Sequence, residues 1–110
     1  IYEEAPAALG RCTSDREETK AAMMEQLWAY ESEGYPQHAG LAECNFIIRR
    51  HNERVKAFNE AWWAQVCRYS RRDQLSFPYV LRKFPNLYVS FMTGNIRRHP
   101  HFRCHEHLWF

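Results

Sequence analysis

"GLAECNFIIRRHN", residues 40 to 52, is the stretch on which the reading of the fold turns. Inside it Phe46, Ile47 and Ile48 form a β-prone apolar run, too short for periodicity to separate a strand from a buried helix. Read as a strand, "LAECNFIIRR" places a sheet in the domain. Glu43 and Asn45, at alternate positions, then point to the same face. Polar residues on one face at a strand end line sites in open α/β sheets. The same two residues also suit an exposed loop, and the pattern leaves both readings open. A second run, "NLYVSFM" at 86 to 92, alternates well enough to be another strand.

Between these runs the sequence is helical. In "ERVKAFNEAWWAQVCRYS", Val55, Phe58, Trp62, Val66 and Tyr69 recur at intervals of three and four. That spacing is one face of an amphipathic helix, with Phe58, Trp62 and Val66 expected in the core and Asn52 as its N-cap. "DQLSFPYVLRK" predicts a shorter helix in which Pro78 lies too deep to be a first-turn proline, so a kink or restart is expected there. Upstream, Ser14 and Glu17 have the form of a capping box, so a helix should begin near Asp15 and stop at Gly34, with Pro36 preventing its resumption. Met23, Met24, Leu27, Trp28 and Tyr30 give that helix a broad apolar stripe, read as core. "IYEEAPAAL" reads as a short helix or helix end. The order helix, helix, strand, helix, helix, strand, tail predicts an α/β layer. Two strands make no stable sheet alone, so sequence upstream of Ile1 is expected to complete it. The chain starts without a methionine and reads as the C-terminal part of a longer protein. It forms one domain, 1–110, with a His- and Arg-rich tail over 93–110.

Composition narrows the function classes. A chain of 110 residues supports one core. A formal net charge of +2 argues against a dedicated nucleic-acid binder, which concentrates far more basic charge on one face. No run approaches the ~20 apolar residues of a membrane span, and no signal peptide is visible. The arginines are paired at Arg49-Arg50, Arg71-Arg72 and Arg97-Arg98, and paired guanidiniums suit a compact anion such as a diphosphate. Solvated surface arginines are the plain alternative. Cys12, Cys44, Cys67 and Cys104 form no C-x-x-C, which favours free thiols and a reducing compartment.

Asp73 heads an apolar helical run, so it suits an N-cap, and it equally suits a ligand role. A helix N-terminus carries partial positive charge, and Arg71 and Arg72 stand beside it. There Asp73 can accept hydrogen bonds from sugar hydroxyls, and Gln74 can both donate and accept.

"IYEEA", "GLAECNFIIRRHN", Trp62-Trp63 and "SRRDQLSFPYVL", in this order and spacing, resemble a glycosyltransferase family formerly catalogued as a domain of unknown function. Its members include plant cell-wall and mucilage proteins and bacterial capsule-type proteins. The resemblance is clear over about residues 1 to 83 and weaker in the tail. It implies a GT-A-like α/β/α sandwich that binds nucleotide-diphospho-sugars, of which this chain would be the C-terminal part with an incomplete sheet. It also implies transfer of a sugar from a nucleotide-sugar donor to a polysaccharide or surface-glycan acceptor. In those terms Asp73 and Gln74 lie at the donor sugar, and Arg72, Arg49, Glu43 and Asn45 belong to the same substrate pocket. The family's metal, Mn or Mg, is held mainly by a D-x-D motif absent from these 110 residues and expected upstream; His105 or His107 would complete that site. The location would be cytoplasmic for a bacterial member and the Golgi lumen for a plant member. The fragment alone is expected to be inactive. Two other readings remain: a glycan- or protein-binding module without chemistry, and a small metal-binding protein built on the histidine tail.

Overall fold

The computed structural model describes Tyr2 and residues 17–105, apart from the side chains of Glu17 and Glu18. Three α-helices carry it: α1 (Glu17–Ser32), α2 (Glu53–Arg68) and α3 (Asp73–Arg82), followed by a 3-10 turn at Ile96–Arg98. The expected helix end at "IYEEAPAAL" and the capping box of Ser14 lie outside the described residues.

Each helix has a local cause. Asn52 caps α2 through its Oδ1, which accepts from the Val55 N–H at 2.9 Å. Asn95 starts the 3-10 turn in the same way, accepting from Arg97 N–H at 2.9 Å. α1 stops where the chain turns left-handed at Gly34, φ +76°. The Gly34 and Tyr35 amides close its last turn by donating to Glu31 O and Tyr30 O. α3 runs through Pro78 as one helix, without the expected restart. Pro78 forfeits one backbone bond, and the buried residues beside it, Leu75, Ser76, Phe77, Tyr79 and Val80, hold the helix in place.

The core is aromatic and lies where the helices meet. Met23, Leu27 and Tyr30 of α1 are buried with Phe58 of α2 and Leu75, Phe77, Tyr79 and Val80 of α3. Tyr30 stacks on Tyr79 at 3.7 Å between ring centres, and Phe58 meets the edge of Phe77 at 5.5 Å. Trp62 and Val66, expected in the core, are half-buried; the Trp62 indole N–H donates to Ser76 Oγ at 3.0 Å, tying α2 to α3. The apolar stripe of α1 is narrower than its sequence: Met24 is exposed and Trp28 is 72% exposed. A polar chain runs through this core. Ser70 Oγ donates to Gln26 Oε1 at 2.5 Å, Gln26 Nε2 donates to Tyr30 OH at 2.9 Å, and Tyr30 OH donates to Gln65 Oε1 at 2.9 Å. No described buried side-chain nitrogen or oxygen is left without a partner.

The expected α/β sandwich is overturned. Among the described residues there are three α-helices, one 3-10 turn, no strand and no sheet. "LAECNFIIRR" and "NLYVSFM" are irregular chain, and no backbone hydrogen bond joins them. A helix closes its own hydrogen bonds, whereas a strand exists only where a second segment pairs with it. Both runs have strand composition and lack that partner. Ala42, Leu87 and Val89 turn toward the core, but other apolar side chains stand at the surface: Ile48 is 83% exposed and Tyr88 90%.

Candidate functional site

The two unpaired runs face one another across a cleft of about 1020 Å³. That is the upper end of ordinary ligand pockets, ~300–1,000 Å³. One wall is the 41–50 segment, which leaves the core at buried Ala42 and runs to the Asn52 cap of α2. The other is the 86–94 segment, which follows α3 and ends at Gly94, whose φ of +85° turns the chain into the 3-10 turn. Phe58 and Phe77 form part of the floor, so the core itself is the base of the cleft. At one side Phe102 of the tail packs on Phe46 at 4.8 Å, and His99 sits against Phe102 at 5.3 Å.

Of the residues singled out from the sequence, Glu43, Asn45 and Arg49 line this cleft. Arg49 is held in place by α2, donating from Nη1 to Asn59 Oδ1 at 2.8 Å. Arg72, Asp73 and Gln74 are half-buried at the start of α3 and are not part of the lining. Cys44 stands in the lining between Glu43 and Asn45. Burial first, and the Asp73 carboxylate second, push this half-buried lining thiol up to about 11 from its ordinary 9.0. Cys44 is therefore a neutral thiol at pH 7, donating weakly to Ala42 O at 3.7 Å, and it is no nucleophile there.

Asp73 is also not an N-cap. It is the first residue of α3; Arg72 holds the cap position without a side-chain cap bond, and the turn closes through Leu75 N–H donating to Arg72 O at 3.0 Å. An N-cap must be extended, with its side chain folded back on the N2 or N3 amide, and Asp73 has already entered the helix. Its charge instead sits in the first turn, where it complements the helix dipole.

No three His, Cys, Asp or Glu side chains among the described residues converge as ligands. His105 stands exposed on the tail and His107 lies outside the described residues. Cys67 and Cys104 are exposed free thiols. The paired arginines serve three separate places: the cleft wall (Arg49, Arg50), the approach to α3 (Arg71, Arg72) and the 3-10 turn (Arg97, Arg98).

The 86–94 wall escaped the sequence reading as a site. Its mix of Tyr88 and Phe91 with Asn86, Ser90 and Thr93 was visible, but only the three-dimensional path shows that these residues line the same cleft as Asn45 and Arg49.

The cleft is walled mainly by aliphatic and aromatic side chains, with Glu43, Asn45, Arg49, Arg50 and Asn86 among them. The TOD1/MUCI70 glycosyltransferase-like domain matches residues 1–107. The chain belongs to that family. Its role is therefore glycosyltransferase-like, with transferase activity in that general sense. No curated protein and no solved structure matches the chain. No helix among the described residues is long and apolar enough to cross a membrane.

Proposed function

We propose that the protein transfers a sugar from a nucleotide-sugar donor to a polysaccharide or surface-glycan acceptor, with the donor at the end of the cleft nearest the first turn of α3. The observation that carries this reading is the cleft lined by Glu43, Asn45 and Arg49 in a chain of the glycosyltransferase-like family. In this reading Asp73 and Gln74 hold hydroxyls of the donor sugar. Arg49 and Arg72 balance the diphosphate as the bond between it and the anomeric carbon breaks. Glu43 and Asn45 border the same pocket. An acceptor hydroxyl forms the new bond to the anomeric carbon and gives up its proton. A divalent cation, Mn or Mg, held mainly by residues outside this chain belongs to the same proposal, as does a site of action in the cytoplasm of a bacterium or the Golgi lumen of a plant.

The test is a panel of nucleotide sugars assayed for transfer and for donor hydrolysis, with Asp73→Asn beside the parent protein. Asn keeps one acceptor oxygen and loses the charge, so turnover should fall by about ten- to a hundredfold, the value of one charge-assisted hydrogen bond. Melting temperature should hardly move, because a first-turn charge is worth only ~0.3–1 kcal/mol. Unchanged turnover would remove Asp73 from the site.

A further inference from the structure

Ile48, Tyr88, Phe91 and Met92 stand exposed on the two walls of the cleft. A contiguous apolar patch of this kind marks a surface that something covers. The chain itself brings a cover to one side. Phe102 packs on the cleft residue Phe46 at 4.8 Å, and His99, which lines the cleft, lies against Phe102 at 5.3 Å. The exposed residues Arg103, Cys104 and His105 follow, and then 106–110, outside the described residues, read Glu-His-Leu-Trp-Phe. Leu108, Trp109 and Phe110 put large apolar side chains in a row, just behind the acid Glu106. The cleft carries the complement in charge as well as in polarity: Arg49, Arg50 and Arg54 line it with Glu43 as the acid among them.

We propose that Leu108, Trp109 and Phe110 dock back into this cleft as a tethered plug, with Glu106 turned to the guanidiniums of Arg49, Arg50 and Arg54. Reach permits it, because Leu108 comes six residues after the Phe102 anchor, ~20 Å of extended chain. Room permits it too: a cleft of about 1020 Å³ holds a drug-sized ligand, and a tripeptide is of that size. Tethering selects this occupant over a second copy of the chain or a free peptide, since a segment anchored a few residues away is present at ~mM effective concentration. Any ligand of the cleft must displace the plug, so the tail lowers that ligand's apparent affinity by the fraction of cleft it occupies. This docking stands apart from the glycosyl-transfer reading and needs nothing from it.

The experiment compares the parent chain with a Trp109→Ala, Phe110→Ala double variant by proton–nitrogen NMR, and titrates both with the capped peptide Glu-His-Leu-Trp-Phe. Loss of the plug should move the amide signals of Ile48, Tyr88 and Phe91 and leave in place those of α1, which contributes nothing to the lining. The free peptide should bind the double variant about tenfold tighter than the parent, whose cleft its own tail already fills. Ile48→Glu, at an exposed position, should release the tail from the opposite wall and bring the Trp109 indole N–H to its free-peptide shift, with the melting temperature unchanged. A Trp109 signal that already sits at the free-peptide shift in the parent, or that Ile48→Glu leaves unmoved, overturns the proposal. Equal peptide affinity for parent and double variant overturns it as well. Signals of Ile48 and Tyr88 that change on about a hundredfold dilution assign the plug to a second copy and overturn the tethered form.

Discussion

Removing a single oxygen from Tyr30 tests how the helices are held together. Tyr30 is 1% exposed and its hydroxyl is the middle of the chain Ser70–Gln26–Tyr30–Gln65, accepting from Gln26 Nε2 and donating to Gln65 Oε1. Tyr30→Phe keeps the ring and its 3.7 Å stack on Tyr79, so packing is preserved. What is lost falls unevenly on the two partners. Gln65 is half-buried and can turn its oxygen to water. Gln26 is 0% exposed, and its Nε2 hydrogen is stranded. A buried donor left without an acceptor costs ~1–3 kcal/mol. The lost bond to Gln65 adds a few tenths at most once water replaces it, giving about 2 kcal/mol in all. Chemical denaturation should show a lower midpoint at unchanged slope, and thermal melting a drop of about 8–16 °C for a chain of this size. Gln65→Met strands the hydrogen of the buried Tyr30 hydroxyl in the same way, so it should cost a similar ~1–3 kcal/mol. A Tyr30→Phe protein within about 0.5 kcal/mol of the parent, the scale of an ordinary surface substitution, would refute the claim that this buried chain couples α1 to α2.

Further outcomes follow from single positions. Gly34→Ala should destabilise by about 1 kcal/mol in urea unfolding, because φ is +76° there and a Cβ meets strain although nothing lies within 4 Å of it. Stability should fall on the alkaline side. Cys44 is raised from 9.0 to about 11, so the unfolded chain loses its thiol proton first and stability drains between pH 9 and 11. Burial raises Tyr30 further above its ordinary 10.0 and extends the loss above pH 10; Cys44→Ala should flatten the lower part of this fall in a pH series of melting temperatures. At the acid end, the Tyr79 hydroxyl, which donates to Glu33 Oε2 at 2.5 Å, and Lys83 beyond it hold Glu33 below its ordinary 4.5. Stability from that carboxylate is present above pH 4.5 and is lost as pH falls through the lowered value; Tyr79→Phe should shrink this acid limb to what Lys83 supplies.

The sequence by itself determined the helices and the family. The three-four spacing from Val55 to Tyr69, the Asn52 cap and the Gly34 stop each act within a few residues, and a helix satisfies its own backbone over the same range. The ordered motifs around "CNFIIRRHN" and "RRDQLSF" likewise carried the resemblance that the family match bears out. Three things were settled only by the tertiary structure. Which side of α1 faces inward depends on where Tyr79 and Leu75 sit, so Met23 and Tyr30 are buried while Met24 and Trp28 are not. Asp73 is a helical residue and not a cap because the chain enters α3 one residue earlier than its composition suggests. The runs at 41–50 and 86–92 have the composition of strands, and their fate rests on a partner that composition cannot specify. Ladder hydrogen bonds join residues distant in sequence; without them, the same Phe46, Ile48, Tyr88 and Phe91 become the open walls of a cleft.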